Sequence, residues 1–406
     1  EDIFAYSNRF GQEKTLVLYN NKNSSTSGWI KTSAAFSLKK NSPEDKILIQ
    51  KELAEGLNIL SHEGYLVFAN HIDGLTYIRE INEIREKGLY VELGPYEYKV
   101  FMNFYEAQDC ENKSYSTVYK YLNGKGTPDI EQTLDEIRRQ KIKELLGSIL
   151  YEYIKRDFLD SLLAKKHEKE KIERFLWDMD KEIKVFLEHV NNYALIKGFE
   201  VVPYDYANHI INELKAFIEV FQKENIEIVE LKKRLFIAFD CILFWRLKKY
   251  KVIENLDLEN IVLEHLRANV LDEQRVLDFN LLMRINDEIK KAMENIRDRI
   301  DVLALFNGLL KDGFVQKVIC VNVYEDVLWF NKERFQFFLW WVYVFMLLEI
   351  NEKLSSTPEV MQKIVKELKK VIEDINFLSQ SSGYRFEEFL LMLKNSLMKQ
   401  NNLIII

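Results

Sequence analysis

The sequence predicts an α+β chain of more than one domain, an N-terminal antiparallel β-sandwich followed by a large all-α helical bundle region. Three observations predict it. Residues 1 to about 106 carry strand signals, and from Tyr96 to Phe104 apolar and polar residues alternate with the period of a half-buried strand. Beyond about residue 128 the apolar period moves close to 3.6, most clearly in Val360, Met361, Ile364, Val365, Leu368, Val371, Ile372 and Ile375. The 406 residues include only five prolines, and 47% are hydrophobic and 13% aromatic, which suffices for several cores and leaves long helices uninterrupted.

The predicted strands follow in order. "IFAYSNR" and "KTLVLYNN" flank Phe10-Gly11-Gln12-Glu13 and read as a hairpin. The polar run Asn21 to Gly28 reads as a loop, with a strand after it over Trp29 to Phe36. Pro43 to Leu57 has helical spacing through Ile47, Leu48, Leu53 and Leu57, after which "GYLVFAN" and "LTYIRE" return to strands. "KGLYVELGPYEYKVFMNFYE" reads as two aromatic-rich strands joined at Gly94-Pro95. Tyr96, Tyr98, Val100, Met102 and Phe104 are expected on the covered face, and Glu97, Lys99 and Asn103 on the other.

This organisation implies a β-domain over 1–106, a linker over 107–127 holding the Gly124-Lys125-Gly126 breaker, and a helical region over 128–406. Thr127-Pro128-Asp129 is a helix start, with a hydroxyl cap and proline at the first helical position. Thr357-Pro358-Glu359 repeats it. Breaks fall at Gly198 to Pro203, which permits two sub-bundles, and at Gly308 to Gly313. The charged run Ala164 to Arg174 reads as a solvated helix face or a bend. Phe337 to Leu348 is apolar without interruption, shorter than the roughly 18 to 20 residues a membrane span needs, and is expected to form a central helix buried on all sides.

Charge narrows the function classes. Lys and Arg number 57 against 64 Asp and Glu, a net charge of -7, so the chain has no basic excess for nucleic acid. Neither nucleic acid nor membrane is an expected partner. Cys110, Cys241 and Cys320 are odd in number and widely spaced, the pattern of reduced, buried thiols in the cytoplasm. His62, His71, His167, His189, His209 and His265 show no spacing of helix-borne metal ligands, and no cofactor is expected. Gly-Lys-Gly-Thr at 124–127 has the wrong order for a phosphate loop. Glu325 and Asp326 beside Trp329 form the most site-like cluster, and a packed helix corner with a polar rim explains them equally well. "NHID" at 70–73 has the Asn-His of an amylase-type first motif without its upstream Asp, so His71 reads as structural.

Two stretches carry a family resemblance. "IFAYSNRFGQEKTLVLYNN" resembles the first strands of the carboxy-terminal β-domain that follows the catalytic barrel in the alpha-amylase family of glycoside hydrolases, and "LGPYEYKVF" is similar to its closing strand. "LWFNKERFQFFLWWVYVFMLLE" and "SGYRFEEFLLMLK" resemble the long helical tail of a bacterial branch of large amylase-like proteins. The resemblance implies retaining hydrolysis of α-glucosidic bonds by two carboxylates about 5 Å apart. The eight βα units of the barrel need about 250 residues, and no such alternation occurs here, so none of the family's catalytic residues is assigned to this chain. Glu1 opens inside a predicted strand, and the chain reads as the continuation of a longer polypeptide.

Three readings follow. The first is a non-catalytic accessory region of a hydrolase or glucanotransferase acting on alpha-glucans, whose partner is the upstream catalytic barrel of the same polypeptide. The second is a carbohydrate-binding module in which Tyr6, Tyr19 or Trp29 stacks on the sugar, although no two tryptophans are spaced as a platform. The third is a helical scaffold for a protein partner. A second copy of the chain is also a candidate partner, through a stripe of Phe335, Phe338, Trp341 and Phe345, for which an interior position is the favoured reading.

Overall fold

The computed structural model describes residues 2–39, 46–110, 113–150, 169–223, 242–244, 247–248, 250–261, 273–294, 299–353, 358–399 and 403–405. Two compact units divide the chain, Glu1–Lys141 and Ile142–Ile406.

In chain order the first unit holds β1 (Ile3–Phe10), β2 (Glu13–Asn20), β3 (Thr26–Ile30), β4 (Phe36–Lys39), β5 (Lys46–Ile49), α1 (Leu53–Gly56), β6 (Tyr65–Asn70), β7 (Thr76–Glu80), α2 (Ile81–Glu86), β8 (Leu89–Leu93), β9 (Tyr98–Ala107), α3 (Tyr115–Leu122) and the beginning of α4 (Ile130–Leu150). An antiparallel sheet runs β1-β2-β9-β6-β7. One of its faces sends Leu16, Leu18, Phe68, Phe101 and Phe104 against a second layer made of the β3–β8 pair with α1 and α2. Phe68 is the centre of this core, its ring 4.9 Å from Phe101, 5.2 Å from Phe104 and 6.0 Å from Tyr77.

The β1–β2 hairpin turns at Gly11, whose φ of +59° suits a residue without Cβ. Gly88 is required for a second reason. Its φ is +91° and a Cβ there would sit 2.3 Å from the Ile30 carbonyl oxygen, so glycine alone lets α2 pass into β8 beside β3.

Several expectations are corrected. The strands on either side of Gly94-Pro95 lie in different sheets: β8 pairs with β3, while β9 lies between β2 and β6. The faces of β9 are reversed along its first half. Phe101 lies opposite Leu16 and Lys99 opposite Leu18, on the core face, so Tyr98, Val100 and Met102 point to the outer face. At Asn103, with φ +56°, the register against β6 shifts, and this bulge returns Phe104 to the core. The predicted strand over 29–36 is instead β3, Thr26–Ile30. The predicted helix over 43–57 is strand at Lys46–Ile49 and helix only at Leu53–Gly56. There Ile47 and Leu48 are exposed on a hairpin, while Leu53 and Leu57 are buried, so apolar spacing alone misassigned the segment.

The cap of α4 is Asp129, whose Oδ1 accepts from the Glu131 and Gln132 N–H groups at 2.7 and 3.0 Å. Thr127 instead turns inward, its hydroxyl 2.6 Å from that of Thr133 and its backbone bridged to Thr76. The expected linker over 107–127 holds α3, which with the beginning of α4 covers part of the outer face of the sheet, burying Val67, Ile78, Ala107, Val118, Leu122 and Leu134 together.

The second unit continues with the rest of α4, then α5 (Lys169–Lys197), α6 (Tyr206–Lys223), α7 (Val252–Asn255), α8 (Glu273–Glu294), β10 (Arg299–Asp301), α9 (Val302–Lys311), α10 (Gly313–Val318), β11 (Asn322–Tyr324), β12 (Val327–Trp329), α11 (Lys332–Lys353), α12 (Pro358–Ser381), α13 (Phe386–Lys399) and β13 (Leu403–Ile405). Helix α11 is the axis, packed by α6, α8 and α12. Phe335, Phe338 and Trp341 are 0% exposed and Phe345 is 1%, so the aromatic stripe is interior to this unit and offers no face to a second copy. A Lys290 ammonium on α8 lies 2.8 Å from Glu349 of α11 and 3.7 Å from Glu213 of α6, which compensates charges that α11 would otherwise bury alone.

Helix α5 stops at Lys197, where Gly198 has φ +71°, and the Asn191 amide holds the Val202 backbone at both N and O. The second predicted break falls at Asp312, which caps α10, while Gly308 stays helical within α9. On α12 Ile364, Leu368 and Ile375 are buried as expected; the expected cap Thr357 lies outside the described residues. So does 164–168 of the charged run, whose Glu170, Glu173 and Arg174 are exposed on α5. Among the described residues no helix is long and apolar enough to cross a membrane.

Phe68→Ala is expected to destabilise the first unit by about 3–5 kcal/mol, since it removes a ring that three others contact and the cavity cannot fully collapse. Urea denaturation of the variant and parent chain checks this; a loss below about 1 kcal/mol would contradict the packing described.

Candidate functional site

Two surfaces of the first unit present aromatic side chains. The first is the outer face of the sheet. Directly opposed strand partners share a face, and the pairings Phe4↔Tyr19 and Tyr19↔Tyr98 set three rings in one row across β1, β2 and β9. Tyr6, Val17 and Val100 form the adjacent row. The half of this face nearer β7 lies under α3 and α4, whereas Phe4 is 49%, Tyr6 62% and Tyr98 52% exposed. The uncovered half is thus an aromatic patch flanked by an edge strand.

The second surface is a groove of about 840 Å³ beside the opening between the two layers. Trp29 on β3 and Tyr90 on β8 are strand partners with ring centroids 5.3 Å apart, both more than 40% exposed, and they stand on one side of it. Tyr77 and Arg79 of β7 line it too, as do Lys120 in the last turn of α3 and Lys125 in the turn after it. The Lys87 ammonium lies 5.7 Å from the Trp29 ring centroid.

Arg79 has an unusual set of partners. Its Nη1 donates to the Ile78 carbonyl at 2.8 Å and its Nη2 to the Gly124 carbonyl at 2.9 Å, and its guanidinium lies 5.8 Å from the Tyr77 ring centroid. Among the described residues no carboxylate comes within ion-pair distance of it. Burial draws its pKa below the ordinary value, against the fields of Glu83 and the Tyr119 and Tyr77 phenols. Tyr77 is itself pushed up to about 12, by burial and by its 2.9 Å hydrogen bond to Asp73.

The sequence candidates therefore separate. Tyr6 and Tyr19 lie in adjacent rows of the outer sheet face, and Trp29 lies in the groove. Phe4, Tyr90 and Arg79 were not singled out in the sequence: Tyr90 becomes a partner of Trp29 only through a pairing across 61 positions, and nothing local marks it. Tyr98 was legible as part of an alternating strand, but on the wrong face.

The motifs weighed as catalytic serve the backbone. Asn70 is buried at the end of β6, its Oδ1 accepting from Ile72 and Val100 N–H and its Nδ2 donating to Asp73. "NHID" is thus the turn of the β6–β7 hairpin, with His71 exposed. Glu325 and Asp326 form the turn of the β11–β12 hairpin, with φ of +50° and +58°, which corrects the expected helix corner. Arg385 covers the Trp329 ring at 5.6 Å. Cys110 and Cys320 are exposed, which overturns their buried reading, because both fall in turns at the ends of elements; Cys241 lies outside the described residues. His62, His71 and His209 are exposed, His189 is half-buried with its Nδ1 2.9 Å from the Val185 carbonyl, and His167 and His265 lie outside the described residues. Among the described residues no group of three His, Cys, Asp or Glu could hold a metal ion.

Asp73 and Glu106 hold their surroundings as anions. Burial opposes the charge in both, and hydrogen bonds outweigh it: from Leu75, Asn70 and Tyr77 to Asp73, and from Leu60 and Ser61 to Glu106 with Lys14 nearby. Both pKa values lie below the ordinary carboxylate range, so the stability they contribute is complete above about pH 4–5 and is lost as pH falls through the folded-state values. The melting temperature of a doubly substituted Asp73→Asn, Glu106→Gln chain should lie below that of the parent at pH 7, and the gap should close towards pH 3. A gap independent of pH would show that the charges are immaterial.

Comparison of the chain with protein families, with curated proteins and with solved structures gave no match.

Proposed function

We propose that this chain is a non-catalytic accessory region of an alpha-amylase-like glycoside hydrolase or glucanotransferase acting on alpha-glucans, seated on the catalytic barrel of the same polypeptide. The observation that carries this reading is the half-covered sheet. Helices α3 and α4 close one half of the outer face, and the Phe4–Tyr19–Tyr98 row with Tyr6 leaves the other half apolar and open. Soluble proteins seldom leave so contiguous a patch to water, and a large partner surface is what such a patch fits.

The resembling stretches support the reading by where they fall. "IFAYSNRFGQEKTLVLYNN" forms the β1–β2 hairpin that bears half the patch, and "LGPYEYKVF" enters β9, which bears Tyr98. In this reading the catalytic carboxylates belong to the barrel, the chain works in the cytoplasm, and the second unit is a self-contained body whose aromatic stripe is spent on its own core. A carbohydrate-binding role has separate support from the exposed Trp29–Tyr90 pair, since a ring face offers a sugar ring an apolar platform.

The test is association in trans. The chain, mixed with the separately produced barrel of its polypeptide in an ultracentrifuge, should form a one-to-one complex, and the Tyr6→Ser, Tyr98→Ser variant should weaken it by at least about tenfold, the equivalent of 1.4 kcal/mol. A parent polypeptide without a barrel, or a complex indifferent to both substitutions, would overturn the proposal.

A further inference from the structure

The groove holds a cation whose compensation is incomplete. A guanidinium drawn out of bulk water normally faces a carboxylate or phosphate that accepts two of its N–H groups. Arg79 is half-buried in the wall of this groove and has two backbone carbonyls instead, which anchor it without neutralising it. Lys120 and Lys125 line the same groove. Glu83 and Glu92 are the acids that face it; Glu83 lies 3.9 Å from Lys87, outside the lining. The remaining lysine of the lining, Lys99, is engaged by the Glu92 carbonyl at 2.9 Å and the Glu97 carboxylate at 3.6 Å. Glu83 also lends its field to Arg79, and with both acids counted the four cations Arg79, Lys99, Lys120 and Lys125 still leave the lining net positive, centred on a fixed planar donor.

The rest of the groove is amphipathic. Trp29 and Tyr90 present ring faces and Tyr77 lies beside Arg79, within a space whose size falls in the range of ordinary ligand pockets, about 300–1,000 Å³. Apolar ring faces next to a dense set of hydrogen-bonding groups suit a ligand with an apolar side and a hydroxylated rim.

We infer that this groove binds an anionic saccharide, with sugar rings against Trp29 and Tyr90 and an acidic substituent, a phosphoryl group foremost, on Arg79. The choice of glucose as the sugar rests on the alpha-glucan reading above; the demand for an anion does not. A free sugar phosphate and a glucan chain bearing phosphate esters share this chemistry.

Calorimetric titration of the intact chain with neutral maltohexaose, 6-phosphorylated maltohexaose, glucose 6-phosphate and inorganic phosphate tests it. The expected result is that a phosphorylated sugar binds about tenfold or more tighter than neutral maltohexaose, as a charge-assisted pair implies. Binding confined to the phosphorylated hexaose identifies a chain as ligand, and equal binding of glucose 6-phosphate identifies a free sugar phosphate. Arg79→Gln should abolish the preference for phosphate, while Trp29→Ala should weaken every saccharide and leave the preference intact. Because Arg79 also ties α3 to β7, Arg79→Lys provides the folded control: it keeps the charge and should retain part of the preference. Equal affinity for neutral and phosphorylated hexaose, binding of inorganic phosphate as tight as of any sugar, or no binding at all would overturn the inference. Saccharide binding together with failure to associate with a barrel would remove the accessory-region reading alone.

Discussion

A side chain on a strand can serve only one face of its sheet, and the first unit depends on how β9 divides its residues between two. The strand lies in the centre, between β2 and β6, so both its faces must be accounted for. Up to Phe101 its odd-numbered residues look into the core; at Asn103 the backbone takes up one extra residue, and Phe104 faces inward after it. Without this shift Phe104 would stand on the outer face and its place beside Phe68 would be empty. Pairing with β2 gives Tyr98, Val100 and Met102 to the outer face, and the bulge that follows lets the same strand return Phe104 to the core, so one strand serves both the aromatic patch and the core.

This explains what could be read from the sequence and what could not. The strands of the β1–β2 and β6–β7 hairpins were legible because short apolar and aromatic runs, each bounded by turn residues, mark them locally. The class of the helical region was legible for the same reason, and helix α11 could be recognised from composition alone, since an uninterrupted run from Phe337 to Leu348 has no side left to hydrate. The faces of β9 were not legible. Every residue from Tyr96 to Phe104 alternates plausibly in either phase, and only pairing with Leu16 and Leu18 decides between them. Helical spacing likewise suggested a single helix over 43–57, where the chain forms half of a small hairpin and then one helical turn.

Of the candidate site, Tyr6, Tyr19 and Trp29 stood out as aromatics on strands, but their separation onto two surfaces is a property of topology. Arg79 carries no sequence signal, since one arginine among 57 basic residues is indistinguishable until its partners are known. Asn70 and Asp73 show the reverse case. A string suggestive of catalysis performs the work of a turn, its polar atoms consumed by the backbone groups that a tight hairpin leaves unpaired.

Helix α11 has one more consequence. An isolated helix gains stability from an amphipathic face that finds a partner, but α11 is apolar around almost its whole circumference and depends on α6, α8 and α12 at once. Until all three have docked, part of its surface remains exposed to water, and the surface exposed is dense in Phe and Trp. The second unit therefore has little room for partly assembled forms: its order of synthesis places α11 after α6 and α8 but before α12, and during that interval the nascent chain carries its stickiest segment uncovered.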